Sequence, residues 1–168
     1  MRIIAIILCA VMLLSLCGCG KQAKVKEPIT FYYCVNQIDH QGSKEIFGTE
    51  TRDASIYSDD LVALYNAYFA GPENSTYYNP FPQGSYVVSS TQEGNILTLY
   101  LSEHFDVLPL EKLTLAISCL AKTTFGHTSA LIMVLIPHGT FIDGSTYKTF
   151  TADSFLYSDE NTTYSPPQ

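Results

Sequence analysis

The chain is 168 residues long, the size of one ordinary domain with short flanks, and carries 9 Lys plus Arg against 16 Asp plus Glu for a net charge of −7. That balance excludes electrostatic capture of nucleic acid, which needs Lys and Arg gathered on one face. A charged fraction of 15% and an aromatic fraction of 12%, from 12 Tyr and 9 Phe, exclude a disordered chain and describe a folding sequence with a polar, uncharged surface.

Met1-Arg2 precedes an almost wholly apolar run from Ile3 to Leu16, which gives way to Cys17-Gly18-Cys19-Gly20 and then to polar Lys21-Gln22. The run fits the roughly 7 to 15 residues of a signal-peptide core and falls short of the roughly 20 that a spanning helix needs. Leu16-Cys17-Gly18-Cys19 resembles a bacterial lipoprotein lipobox, which makes residues 1–18 a signal peptide and Cys19 the residue to be acylated. An uncleaved anchor and a plain secretory signal are the alternatives, and all three export the remainder. With palmitate-type chains each buried CH₂ adds about 0.8 kcal/mol, so more than one chain makes a stable anchor. Residues 19–28 then form a polar tether, with Lys21, Lys24 and Lys26 placed to meet anionic headgroups. Beyond Glu27 the chain holds 5 basic and 15 acidic residues, so the body is acidic and should stand off an anionic bilayer.

Processing would leave two cysteines, Cys34 and Cys119. One bridge is conceivable if the two meet at the sheet edge, and two separate thiols are the alternative.

In chain order, Ile29 to Val35 alternates apolar and polar residues as a half-buried strand should. Residues 36 to 58 form a long excursion with one short strand expected near Lys44 to Thr49. Ser58 or Asp59 is placed to cap a helix in which Leu61, Leu64, Tyr65, Tyr68 and Phe69 recur at helical spacing, with Gly71-Pro72 ending it. An ordered loop rich in Asn, Tyr and Pro runs from Glu73 to Ser85. Tyr86 to Thr91 and Ile96 to Ser102, separated by Gln92-Glu93-Gly94-Asn95, predict a hairpin. A second helix is expected from Pro109, with Leu110, Leu113, Ile117, Leu120 and Ala121 on one side and Gly126 at its end. Ala130 to Ile136 reads as a central strand stopped by Pro137, and Phe141 to Leu156 as a further hairpin. The order β-α-β-β-α-β predicts an α+β two-layer sandwich with two helices on one face of a mixed sheet. The domain is expected over residues 29–156, with 157–168 a loose tail.

The stretch from the first helix through the hairpin resembles the GerMN domain family of sporulation and spore germination. The resemblance rests on the helix ending in Gly71-Pro72, the proline-rich passage into Pro82-Gln83-Gly84-Ser85-Tyr86-Val87-Val88-Ser89, and Leu97 to Phe105. The next helix and strand follow the family's order, and together these cover about residues 29 to 143. The resemblance implies a non-enzymatic module of membrane-anchored or exported proteins in spore-forming and related Gram-positive bacteria, working by protein contact in envelope assemblies. Tyr77, Tyr78, Phe81 and Tyr86, on or beside the proline-rich loop, are the candidate residues for an envelope-protein partner, with packing over the sandwich edge as the other reading.

The chemistry motifs point the same way. His40, His104, His127 and His138 form no HxH, HxxxH or HExxH spacing, so no metal and no cofactor is expected. There is no GxSxG, P-loop or Rossmann glycine pattern, and no enzyme activity is expected. Glu103-His104 with Asp106 is the densest polar cluster; it reads as a solvated turn, with an envelope hydrolase as the competing hypothesis. A solute- or glycan-binding lipoprotein is the main alternative to a protein-binding module, and an aromatic-lined pocket of at least about 300 Å³ would favour it.

Overall fold

The computed structural model describes residues 28–35, 46–57 and 60–153. The expected signal segment, Cys19, most of the tether and the tail lie outside the described residues.

The first strand, β1 (Pro28–Val35), buries Ile29, Phe31 and Tyr33 on one face, as the alternation predicts. It pairs antiparallel with β2 (Phe47–Asp53), which begins later and runs further than the strand expected near Lys44 to Thr49. Helix α1 (Leu61–Phe69) buries Leu64, Tyr65, Tyr68 and Phe69. Its N-cap is Asp60, one or two residues after the expected Ser58 or Asp59; Asp60 Oδ1 accepts the Ala63 N–H at 2.9 Å. Gly71 follows with φ 107°, a left-handed conformation that ends the helix and that a side chain would strain.

A two-residue strand, β3 (Tyr77–Tyr78), adds to the other side of β1 at Cys34 and Val35. The predicted hairpin is β4 (Val87–Glu93) and β5 (Ile96–Leu101), turning through Gly94-Asn95 with Gly94 at φ 60°. Leu97, Leu99 and Leu101 are the buried face of β5. After a 3₁₀ turn at Glu103–Phe105, helix α2 (Leu110–His127) extends one residue beyond the expected Gly126. Leu113, Ile117, Leu120 and Ala121 are buried as the spacing predicts, whereas Leu110, in the first turn, is exposed. Strand β6 (Ile132–Ile136) lies between β5, to which it is parallel, and β7 (Lys148–Thr151), to which it is antiparallel. Thus the 141–156 region supplies one strand within the described residues, and its partner is β6.

The class is α+β, with mixed strand directions and two helices. The strands divide into two sheets where the sequence pattern suggests one: β2-β1-β3 and β4-β5-β6-β7. The reason lies at the open edge of β1. There the Tyr32 N–H donates to Thr123 Oγ1 of α2 at 3.0 Å, and the Tyr68 hydroxyl of α1 donates to the Tyr32 carbonyl. Side chains from both helices thus occupy hydrogen-bonding positions that a further strand would otherwise fill.

The core is continuous across both sheets and has an aromatic spine. Phe31 stacks on Tyr68 (centroids 4.7 Å apart), Tyr68 meets Phe81 edge-on (4.8 Å), Phe81 lies 4.3 Å from Phe69, and Phe69 lies 5.6 Å from Phe105. The spine therefore links β1, α1, the proline-rich loop and the 3₁₀ turn. Among the described residues no helix is long and apolar enough to cross a membrane.

Candidate functional site

The proline-rich segment between α1 and β4 carries all four residues singled out for contact, and it is held at many points. At its start Arg52 of β2 donates from Nη2 to the Gly71 carbonyl at 2.8 Å and from Nε to Glu50 Oε1 at 2.7 Å. Glu50 Oε2 in turn accepts the Glu73 N–H at 3.0 Å and lies 3.3 Å from the Asn74 N–H. The guanidinium also sits 5.2 Å above the Phe31 ring centroid, so the Gly71-Pro72 turn is clamped onto the core by a charge-assisted network. Burial of the guanidinium opposes its charge and is the largest single effect, but the Glu50 hydrogen bond together with the nearby Tyr33, Glu50 and Glu73 charges outweighs it and keeps Arg52 above its ordinary range.

In mid-loop, Asn79 Nδ2 donates to the Phe69 carbonyl at 2.7 Å while Asn79 Oδ1 accepts the Phe81 N–H at 3.1 Å. At its end, Asn66 Oδ1 of α1 accepts the Val87 N–H at 2.7 Å, and Ser102 Oγ accepts the Tyr86 N–H at 3.1 Å. The loop is a shaped surface: side chains of α1, β2 and Ser102 accept backbone donors at its two ends, and its own Asn74 and Asn79 accept others within it.

On this frame the four aromatic residues occupy different environments. Phe81 is only 5% exposed and anchors the loop in the aromatic spine. Tyr77 is half-buried, its ring lying over Gly48 of β2 so closely that an added Cβ there would come within 2.2 Å of Cε1. Tyr86 is 44% exposed; Tyr78 is 39% exposed and lies across from Cys34, whose thiol its hydroxyl meets. Tyr78, with Pro80, Phe81, Pro82, Lys112 and Leu115 among others, lines a cleft of about 280 Å³. It is slightly below the roughly 300 to 1,000 Å³ typical of small-molecule sites.

The Glu103, His104 and Asp106 cluster does not assemble as acid and base. His104 Nδ1 stands 4.0 Å from Glu103 Oε1, too far for a hydrogen bond, and 3.3 Å from the fully buried Ser102 Oγ. Asp106 Oδ2 instead accepts the Gly139 N–H at 2.9 Å and has His138 Nδ1 at 4.0 Å. Among the described residues no group of three or more His, Cys, Asp or Glu could hold a metal.

Sequence reading missed Glu50 and Arg52, because residues 36 to 58 carry no apolar pattern. The alternation of Gly48, Glu50 and Arg52 across from Tyr33, Phe31 and Ile29 is the signal that could have found them.

Neither a protein-family model nor a curated protein sequence matches the chain. Its fold does match solved structures. One is the tandem GerMN domains of the sporulation protein GerM from Bacillus subtilis, with TM-score 0.55 and 16% identity over 77% of this chain and 46% of that one. Another is a candidate lipoprotein from Clostridium perfringens, with TM-score 0.47 and 16% identity over 77% of this chain and 89% of that one. The chain thus spans less than half the length of the tandem structure. The helix closed by Gly71-Pro72, the proline-rich loop, the hairpin and the helix-strand unit after it form a GerMN-like fold.

Proposed function

We propose that this chain is an envelope lipoprotein whose GerMN-like domain is a non-enzymatic protein-binding and assembly module, acting in sporulation or germination. It is held at the outer face of the membrane by acyl chains on Cys19. The observation that carries the reading is the clamped proline-rich loop with Tyr78 and Tyr86 exposed on it. A surface whose backbone is already fixed loses little conformational entropy on docking, and tyrosine offers a large contact area with one polar tip. The GerMN-like fold and the lipobox-like Leu16-Cys17-Gly18-Cys19 support the setting.

The test is crosslinking in native membranes followed by mass spectrometry, comparing the intact protein with Tyr78→Ala and Tyr86→Ala. Tyr77 and Phe81 are unsuitable for it, because truncating either opens the packing beneath the loop. Recovery of one specific envelope protein, lost in the variants, supports the module. A second reading, binding of a solute or glycan, draws on the aromatic cleft of about 280 Å³. Recovery of no protein partner by the folded, membrane-bound domain would favour it. For the anchor, Cys19→Ala should release the protein from membranes with its circular dichroism unchanged; full membrane retention would point to an uncleaved span.

A further inference from the structure

Cys34 and Cys119 are 85 residues apart in sequence, yet their sulfurs are 3.8 Å apart. Cys34 lies near the end of β1, on the opposite face from Phe31 and Tyr33; Cys119 lies midway along α2. Both are buried and both are free thiols. One helical turn beyond Cys119, the bond from the Tyr32 N–H to Thr123 Oγ1 at 3.0 Å holds the helix beside the strand. Strand and helix are therefore docked with the two sulfurs in van der Waals contact.

We propose that Cys34 and Cys119 form a disulfide that staples β1 to α2. Sulfurs at 3.8 Å need to close to about 2.05 Å, a movement within reach of side-chain rotation. A hydrogen bond from the Cys119 thiol stabilises the Cys34 thiolate and lowers the Cys34 pKa against the effect of burial; that same contact, with burial, raises Cys119.

The oxidant is a disulfide, either of the glutathione class or of an oxidised protein dithiol. Cys34 loses its proton and attacks one oxidant sulfur, forming a mixed disulfide and expelling a thiolate. Cys119 then loses its proton and attacks Cys34 Sγ, forming the internal bond and expelling the second thiolate. Two S–H bonds become one S–S bond, and the oxidant is reduced to two thiols that carry the two protons. Because both sulfurs are sealed in the folded domain, the exchange belongs to the folding chain. Once closed, the bridge is shielded from reduction by the same packing.

The oxidant can be supplied in vitro, wherever the chain resides. The full chain, purified in detergent, is unfolded and refolded in mixed oxidised and reduced glutathione. It is then denatured, labelled with N-ethylmaleimide without reductant, and mapped peptide by peptide. The expected result is that Cys34 and Cys119 escape labelling and are recovered as one crosslinked peptide pair, becoming labelled only after reduction. Reduction should also lower the melting temperature by about 10 °C, the scale expected for a long closed loop in a domain of this size. Labelling of both thiols, or capture of either by glutathione or by another cysteine, would overturn the proposal. So would a bridge whose reduction leaves the melting temperature unchanged.

Discussion

Tyr65 is fully buried, and its hydroxyl lies 2.9 Å from Thr124 Oγ1, itself inaccessible to solvent. The pair joins α1 to α2 through the core, and its worth is asymmetric. Removing one partner leaves a buried polar atom without water or protein to bond, at about 1 to 3 kcal/mol, whereas replacing both with apolar groups of similar shape is close to neutral. Tyr65→Phe and Thr124→Val should therefore each lower stability by about 1 to 2 kcal/mol, and the double variant should lose less than the sum. Urea unfolding of the four proteins reads this directly; strictly additive losses would show that the two hydroxyls do not depend on each other.

At the scale of elements, the edge of β1 that β3 leaves open is the decisive feature, because at Tyr32 two helices rather than a neighbouring strand satisfy it. Thr123 Oγ1 takes the Tyr32 N–H, so Thr123→Val should leave that donor buried and unpaired. The expected loss is about 1 to 3 kcal/mol, with faster amide hydrogen exchange at Tyr32 and little change along the β1-β2 ladder. Uniform acceleration across all of β1 would mean that the strand opens as a unit and that the contact holds no local role. The elements most legible in the sequence were those with an apolar pattern: β1 by alternation, α1 by helical spacing closed at Gly71-Pro72, and the β4-β5 hairpin by its Gly94-Asn95 turn. Strand β2 was only partly visible, because its inner face is Gly48, Glu50 and Arg52, a polar set that is useful only against the Gly71 turn. Thr124 continues the Ile117, Leu120 and Ala121 stripe at helical spacing, but nothing local signals that its hydroxyl bonds Tyr65 or that Thr123 caps a strand edge. Likewise the sequence identified an aromatic loop, but which tyrosines face outward is set by Gly48 and by the aromatic spine, both distant in the chain.

Across the whole molecule, the buried tyrosines tie stability to alkaline pH. Burial pushes the Tyr33, Tyr65 and Tyr68 hydroxyls above the ordinary tyrosine range; nearby Arg52 only partly offsets this at Tyr33, and a Thr124 hydrogen bond only partly at Tyr65. An unfolded chain ionises these groups near pH 10, while the native chain keeps its protons. Above that point the native state binds more protons than the unfolded state, so stability falls as pH rises; below it the contribution is complete. Each such tyrosine adds a slope of about 1.4 kcal/mol per pH unit once the unfolded form is ionised. Unfolding free energies measured from about pH 9 to about pH 11 should therefore bend downward near pH 10. In Tyr65→Phe the slope beyond the bend should shrink by one tyrosine's share, because the phenyl ring keeps the packing and removes the proton. An identical slope in that variant would mean that Tyr65 ionises as readily in the folded chain as in the unfolded one. That outcome would contradict a sealed core shared by α1, α2 and β1, since such a core is what keeps hydroxide and water from the Tyr65 hydroxyl.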